Sequence, residues 1–443
     1  MRKTSFDDTE PLHSAYAILS GDDATERACS AIPEEQCTAV PKNFVLNVFN
    51  GACTKLAEQL VSPTLVLPWL VSALGAPVAV AGWFVPIKQA GSLIPQMLVA
   101  ARIRALAQRK WAWAGAGASQ AACLALMAMA VLALPPVPAA WSLLALFTVF
   151  SIASGIGSVA FQDVTGKTIP KGVRGRMLAN RAAIGGALTL LAAAGLKFGL
   201  GGGGDVAVYA ALIGGAALLW LMAAGAFAVV EETPGVSEGG RNMAAELKAG
   251  LRLFQDDPSF KRYLTMRIAL VIGVELAPPY FALLAQQSQG AGLGELGILI
   301  FAVGTANMLA SWMWGGLADR SSRRVCAYAA SVGALSAVAA LISAYVVPGT
   351  SMIWAFAGVF VLAGIAEAGV RLGRKTYLVD AAPKDERPLY TALSNTLAGV
   401  SALIAGGLGF VAMALGAAWV VAFLAAISVF GIFAAWRMPE ADA

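Results

Sequence analysis

Twelve apolar stretches, each long enough to cross a lipid bilayer as a helix, dominate this 443-residue sequence. A transmembrane helix needs about 20 mostly apolar residues, within a range of roughly 17–25. Only 13% of the residues are charged, against about 25% in an average soluble protein. The sequence therefore predicts an all-α integral membrane protein and excludes a water-soluble globular enzyme. The stretches run over 44–70, 78–101, 111–134, 139–162, 177–199, 206–230, 260–285, 293–317, 325–346, 351–376, 389–415 and 418–437.

The basic residues predict the orientation of these helices. Nearly all Lys and Arg residues fall in the N-terminal tail, in the connections on the same side of the membrane as the tail, or near helix ends on that side. The exceptions are Lys55, Lys88 and Lys197. Cytoplasmic loops of membrane proteins collect Lys and Arg. Both termini are therefore predicted to be cytoplasmic in a multi-pass protein of the cell inner (plasma) membrane. Because this distribution accounts for the net charge of +5, no nucleic-acid partner is expected.

The longest polar connection divides the stretches into two groups of six. Segment 169–186 aligns without gaps on 382–399, so that Pro170 matches Pro383. Two such parallel repeats are an architecture of secondary transporters, so the sequence predicts two pseudo-symmetric six-helix bundles. The predicted organisation is a disordered cytoplasmic tail (1–42), an N-terminal bundle (43–230), a cytoplasmic linker (231–259), a C-terminal bundle (260–437) and a cytoplasmic C-terminal tail (438–443).

The connection after the eighth stretch resembles the loop motif of the major facilitator superfamily. It reads GGLADRSSRR over 315–324 and matches the family's Gly-x-Leu-Ala-Asp-Arg run with basic residues at its end. In that family the motif lies between helices 2 and 3 and recurs between helices 8 and 9. Here residues 100–110 keep the basic charges but lack the Gly and the Asp. The resemblance covers 44–437 and implies the twelve-helix fold of that superfamily, and a monomer.

The same motif predicts a gate at the cytoplasmic face. An Asp at a helix end can pair with arginine or cap the next helix. We expect Asp319 and Arg320 to latch this face when the transporter is open outward, with Arg374 or Lys375 as partners. Asp163 is a further gate or capping candidate. The alternative is an ordinary basic loop with a capping Asp.

The sequence departs at two places from the motifs of the drug antiporters of this superfamily. Ser151 stands where the antiporter pattern of helix 4 has an arginine, and Gly185-Gly186 lacks the preceding Gly-Pro of helix 5. Both losses weaken a proton-coupled multidrug efflux interpretation.

Several charges lie at membrane depth, where an ionisable group costs about 2.5–3.5 kcal/mol on insertion scales. Lys55 lies ~16 Å into the first helix at 1.5 Å per residue, and Glu58 follows on the same face. A central cavity between the halves would be lined by these charges. The predicted proton-coupling groups are Glu58, Glu275 and Glu367, and the predicted substrate-binding residues are Asn47, Asn50, Lys55, Gln59, Lys88, Gln89 and Arg371.

A structural alternative exists for two of these sets. Lys55–Glu58 and Glu367–Arg371 could be self-neutralising pairs that only hold helices together. Arg181 is attributed to the electrostatics of the inner surface, and Arg267 to an interruption of the seventh helix.

The predicted function is secondary active transport by alternating access, coupled to protons, of a small anionic or zwitterionic organic solute. No enzymatic activity, cofactor or metal is expected, because His13 is the one histidine and no phosphate loop or metal-ligand cluster is present. The expected partners are the solute, protons and the lipid bilayer. The alternatives are a drug or siderophore-type efflux pump, and a non-transporting membrane assembly or lipid-handling factor with the same fold.

Overall fold

The computed structural model describes residues 11–20, 38–199, 206–235, 257–289, 293–318, 320–347, 351–382 and 387–440. The first half of the described chain forms a short N-terminal helix and six longer helical passages. The N-terminal helix is Pro11–Ser20, and the passages are α1 (Val40–Leu60 and Val66–Ala73), α2 (Val78–Ala81 and Phe84–Arg104), α3 (Lys110–Ala133), α4 (Pro136–Thr168), α5 (Lys171–Gly199) and α6 (Val206–Ala228).

The second half repeats this arrangement with six more passages. They are α7 (Pro258–Leu270, a π-helical turn over Val271–Glu275, and Pro278–Gln289), α8 (Leu293–Ala318), α9 (Ser322–Tyr345), α10 (Ser351–Ala381), α11 (Arg387–Gly406 and Leu408–Leu415) and α12 (Ala417–Trp436). The inner end of each helix is defined here as the end on the side of the two termini.

The twelve passages coincide in order with the twelve predicted stretches. Within the described ranges, nine helices are by themselves long and apolar enough to cross a membrane. The remaining passages are α1 and α2, which are each divided into two helical pieces, and α8, which contributes the shorter apolar helix Gly294–Ala310. Large apolar side chains such as Leu191, Phe198 and Ile404 are exposed on these helices, as expected of surfaces that face lipid. The predicted all-helical membrane fold is confirmed.

Proline explains where the first and seventh passages are interrupted. Residues before proline are disfavoured in helical conformation, and proline itself donates no backbone hydrogen bond. The first piece of α1 ends at Leu60, just before Pro63. In α7, Pro278 and Pro279 follow the π-helical turn, in which the Leu276 amide donates to the Val271 carbonyl five residues back.

The outer ends of the two halves pack together. One apolar core joins buried residues of the N-terminal half to the outer parts of α7, α8 and α12, whereas a second core belongs to the inner part of the C-terminal half. Glycine permits the closest approach: a Cβ at Gly409 of α11 would lie 2.4 Å from the Ala79 carbonyl oxygen of α2. The outer side of the central interface is therefore closed.

The N-terminal tail differs from the prediction of disorder. Residues 11–20 form a helix whose Tyr16 is 4% exposed and meets the Phe44 ring edge-on at 5.1 Å. Its last carbonyl groups, which have no partner within the helix, accept hydrogen bonds from α5. Asn180 Nδ2 donates to the Leu19 carbonyl at 2.6 Å, and Arg176 donates to that of Ser20. Packing on α1 and α5 thus orders a segment without apolar periodicity of its own.

The predicted linker and C-terminal tail also begin inside the fold. The Glu232 carboxylate accepts the Lys110 amide at 2.8 Å and lies 3.1 Å from Lys167 Nζ, which ties α3 and α4 to the end of α6. In the second half, Glu440 contacts Ser321 Oγ and Arg323 at the start of α9. Each half therefore closes with an acidic residue bound at the inner end of its third helix. Most of the predicted linker, 236–256, lies outside the described residues.

Candidate functional site: buried charges between the two halves

Glu275 lies at the centre of the molecule and contacts both halves. It ends the π-helical turn of α7 and is 4% exposed. Gln89 Nε2 of α2 donates to Glu275 Oε2 at 2.6 Å, and Arg374 Nε of α10 lies 3.8 Å from Glu275 Oε1. Turns of π-helix occur frequently at functional sites. The predicted coupling carboxylate is thus held from the N-terminal half by an amide and from the C-terminal half by a guanidinium.

Arg267 is a buried cation that the sequence analysis treated only as an interruption. It is 2% exposed on α7, and it donates to Ser394 Oγ and, at 2.7 Å, to Asn395 Oδ1 of α11. It also interacts electrostatically with Glu275 and Arg374. In the C-terminal half, one carboxylate therefore has Arg374 at 3.8 Å and Arg267 within longer electrostatic range.

Glu367 and Arg371 do not form the predicted ion pair. Both residues lie in the described part of α10, but no oxygen–nitrogen distance between them is within 4.0 Å. Arg371 is exposed and Glu367 is half-buried, so the two side chains lie in different surroundings. Glu367 remains within electrostatic range of both Arg371 and Glu275.

A second charged cluster occupies the N-terminal half. Lys55 Nζ lies 3.3 Å from Glu58 Oε2 on α1, as the spacing predicts. Lys88 of α2 donates to the neutral Ser154 Oγ at 3.1 Å and lies 5.1 Å above the Phe150 ring of α4. Lys88 also interacts electrostatically with Glu58. This half thus brings two ammonium groups to one carboxylate.

Arg181 of α5 completes the N-terminal cluster, and the sequence analysis assigned it to the inner surface instead. Its Nη1 donates to the Asn47 carbonyl at 2.8 Å and to Asn50 Oδ1 at 3.1 Å. The guanidinium lies 4.4 Å above the Phe161 ring and interacts electrostatically with Glu58. Gly51 allows this approach, because a Cβ there would lie 2.3 Å from Arg181 Cγ.

The sequence contains a signal for both arginines. In the ungapped alignment of 169–186 on 382–399, Arg181 matches Ser394, which binds Arg267. Arg267 also precedes Glu275 by the same spacing that separates Asn50 from Glu58. Each half therefore joins its first and fifth helices by a contact between an arginine and a polar side chain. The arginine is on the fifth helix in the N-terminal half and on the first helix in the C-terminal half.

Three predicted binding residues on α1 are placed differently. Asn50 is fully buried, and both ends of its amide are occupied, because Nδ2 donates to the Ala223 carbonyl at 3.0 Å while Oδ1 accepts from Arg181. Asn47 is also fully buried and donates to the Asn43 carbonyl at 2.8 Å. These contacts favour a packing role for both amides. Gln59 is half-buried, one position beyond Glu58.

The predicted gate residues separate into different groups. Asp163 Oδ2 lies 3.5 Å from Arg109 Nη1, which joins α4 to the start of α3. Arg374 contacts Glu275. Asp319 lies outside the described residues, and Arg320 is exposed. The cap of α9 is Ser321, whose Oγ accepts from the Arg324 amide at 3.3 Å.

The described part of the chain contains no candidate metal-binding site. There, no group of three or more His, Cys, Asp or Glu side chains is arranged to hold an ion.

Comparison with known proteins finds one family model and several solved transporters that are similar to this chain. The model of the Major Facilitator Superfamily matches residues 264–443, and solved transporters share the fold of nearly the whole chain. A mutant of the nucleoside transporter NupG has a TM-score of 0.73 at 11% identity, covering 89% of this chain and 99% of its own. A D-xylose-proton symporter has a TM-score of 0.66 at 14% identity, covering 91% and 99%. The family match thus covers the C-terminal part of the chain, and the solved transporters show that their fold extends over nearly all of it.

Other similar proteins are mycobacterial. The uncharacterized proteins Rv2209 of Mycobacterium tuberculosis and Mb2232 of Mycobacterium bovis are 25% identical over 309 residues, which is 68% of this chain. The chain spans 59% of the length of these relatives.

We expect Asn50→Ala to lower stability more than ligand affinity. The substitution leaves the Arg181 guanidinium and the Ala223 carbonyl short of a buried partner, which costs about 1–3 kcal/mol. Thermal unfolding of the purified protein measures this effect, and Gln59→Ala is the matched control with little expected change. Equal stability of Asn50→Ala and the parent protein would contradict a packing role.

Proposed function

We propose that this protein is a secondary active transporter that moves a small polar organic solute by alternating access and couples this movement to protons. The observation that carries the proposal is the position of Glu275. It is a buried carboxylate between the halves, held by Gln89 from one side and Arg374 from the other. Ionisable groups buried within membrane segments commonly mark ion and proton pathways. The structural similarity to a proton symporter supports the same assignment.

Protonation of Glu275 would change the interface between the halves. The charged carboxylate attracts the guanidinium groups of Arg374 and Arg267, and it accepts the Gln89 amide. A proton removes the attraction to both arginines, which then remain as a pair of buried like charges. The proton therefore favours a rearrangement of α7 and α10. A ligand or proton shifts such an equilibrium only through its differential affinity for the two states.

The solute is proposed to be anionic or zwitterionic. The N-terminal cluster holds Lys55, Lys88 and Arg181 against the single carboxylate of Glu58. Lys88 makes its hydrogen bond to a neutral hydroxyl and lies over an aromatic face, which leaves its charge available to a negatively charged group. Glu58 and Glu367 are further candidates for proton transfer, and Gln59, Gln89 and Arg371 for hydrogen bonds to the solute.

The conformation supports access from the inner side. The halves are packed together at their outer ends, where Gly409 meets Ala79. A similar structure is the inward open conformation of the xylose transporter XylE from E. coli, with a TM-score of 0.64, 13% identity, and coverage of 90% of this chain and 96% of its own. We propose that the termini are cytoplasmic, that the protein works as a monomer in the inner membrane, and that Asp319 and Arg320 help to close the inner side.

We expect Glu275→Gln to uncouple transport from the proton gradient. The amide is isosteric and keeps a contact for Gln89, but it cannot take up a proton. In proteoliposomes, the variant should lose pH-driven accumulation of solute and keep solute exchange at equal pH. Glu231→Gln, at the inner surface away from the centre, is the control and should retain both activities. Accumulation at the parent rate in Glu275→Gln would contradict the coupling role.

We expect Lys88→Gln to weaken binding of anionic solutes by about tenfold to a hundredfold, because hydrogen bonds to charged groups contribute about 1.5–3 kcal/mol. Thermal shift with a library of carboxylates, phosphates, sugars and nucleosides measures the effect, with Lys197→Gln near the outer end of α5 as the control. Stabilisation by neutral or cationic compounds that is unchanged in Lys88→Gln would contradict the anionic solute. Cationic apolar ligands would instead indicate drug efflux, and the absence of any ligand would favour an assembly or lipid-handling role.

A further inference from the structure

Tyr263 is a buried tyrosine near the inner end of α7, and it contacts both arginines that neighbour Glu275. It is 1% exposed, and its hydroxyl donates to the Arg374 carbonyl of α10 at 3.2 Å. Arg267 follows four residues later on the same face of α7 and interacts electrostatically with Tyr263. Tyr263 therefore connects the main chain of α10 to the helix that carries Glu275.

The Tyr263 ring is held in place by other aromatic rings. It stacks on the Tyr377 ring of α10, with 5.5 Å between the centroids and 6° between the planes. It also stacks with Phe260, one turn earlier on α7, at 6.1 Å. Because a tyrosine hydroxyl oxygen lies in the plane of its ring, fixing the ring also fixes the direction of the hydrogen bond to Arg374.

We propose that Tyr263 is a positioning residue for the proton-coupling carboxylate, an inference that rests on the coupling role proposed for Glu275. The Tyr263 hydroxyl holds the main chain at Arg374, while the Arg374 side chain reaches Glu275, with 3.8 Å between Nε and Oε1. The hydroxyl thus controls how closely the guanidinium approaches the carboxylate. Because the attraction between two charges depends on their separation, this distance decides how strongly the charged form of Glu275 is favoured over the protonated form.

The surroundings of Glu275 make the position of Arg374 decisive. Among the described residues, Arg374 is the one cationic group within 4.0 Å of Glu275. Arg267 and Glu367 act over longer distances, and Gln89 of α2 is neutral. The other helices packed on the π-helical turn present uncharged residues to it, namely Gly333 of α9, Ala398 and Ala402 of α11, and Ser428 of α12. A change in the reach of Arg374 should therefore have the largest electrostatic effect on this carboxylate.

Tyr377 provides a matched control for Tyr263. The two rings are stacked on each other, and each hydroxyl donates to a main-chain carbonyl at 3.2 Å. The Tyr377 hydroxyl, however, donates to Pro439, which follows α12 and does not contact Glu275. Phenylalanine at either position keeps the stacked ring and removes one hydrogen bond. Both variants should therefore fold, and they should unfold at similar temperatures.

The test is the pH dependence of the distance between the inner ends of the halves, in the purified full-length protein without solute. Spin labels would be attached at Leu178 of α5 and Tyr328 of α9, which are both exposed, after replacement of the native cysteines. Pulsed electron paramagnetic resonance then measures the distance between the two labels.

In Tyr263→Phe the Arg374 guanidinium is held less closely, so Glu275 should take up its proton at a higher pH. We expect the midpoint of the distance change to move upward by about half a pH unit to one unit. Tyr377→Phe should leave the midpoint where it is in the parent protein. Tyr263→Phe/Glu275→Gln should show the same pH-independent distances as Glu275→Gln alone.

Three results would overturn this inference and leave the proposed coupling role of Glu275 intact. One is an unchanged midpoint in Tyr263→Phe. Another is an equal shift in Tyr377→Phe, which would indicate a general loosening of the aromatic stack. The third is a pH-dependent distance in Tyr263→Phe/Glu275→Gln when Glu275→Gln alone has none, which would show that Tyr263 acts through another group. A parent protein whose distances do not depend on pH would overturn the proposed proton coupling itself, and this inference with it.

Discussion

One buried carboxylate, Glu275, connects the two halves at the centre of this structure. Removing a charge from water is costly, and a buried charge persists only with partners. Gln89 and Arg374 provide those partners from the two halves, and Arg267 adds a longer-range electrostatic interaction from α7 itself. The proline pair after the π-helical turn places the carboxylate there. Sequence, helix geometry and electrostatics thus converge on this buried contact between the halves.

The two halves share a plan but not a charge distribution. Arg181 joins α5 to α1 in the first half, whereas Arg267 joins α7 to α11 in the second. The contact lies between equivalent helices of the two halves, but the arginine is on the fifth helix in the first half and on the first helix in the second. As a result, the N-terminal cluster contains two lysines beside Glu58, whereas the carboxylate of the C-terminal half, Glu275, lies 3.8 Å from the guanidinium of Arg374. We infer that the halves divide solute binding and proton coupling between them.

The sequence was sufficient for the fold, and it singled out some of the buried charges of the candidate site. Hydrophobic length and the placement of basic residues predict the twelve passages, because lipid imposes both rules. Glu275 and Lys88 were found because a charge in an apolar stretch is conspicuous. Arg181 and Arg267 were missed because they lie nearer to helix ends, where a basic residue is ordinary. Their burial depends on Phe161 and Ser394, which come from other helices. The helix at 11–20 depends on Tyr16 meeting Phe44, a tertiary contact without a sequence period.

The most direct test is the distance between the inner ends of the halves as a function of pH. Spin labels would be attached at Leu178 of α5 and Leu372 of α10, which are both exposed, in a protein whose native cysteines have been replaced. Pulsed electron paramagnetic resonance then measures the distance between the two labels. The proposed proton-dependent contact at Glu275 predicts two distance populations whose ratio changes with pH, and a fixed ratio in Glu275→Gln. The same pH dependence in both proteins, or none in the parent, would contradict the central role of this carboxylate.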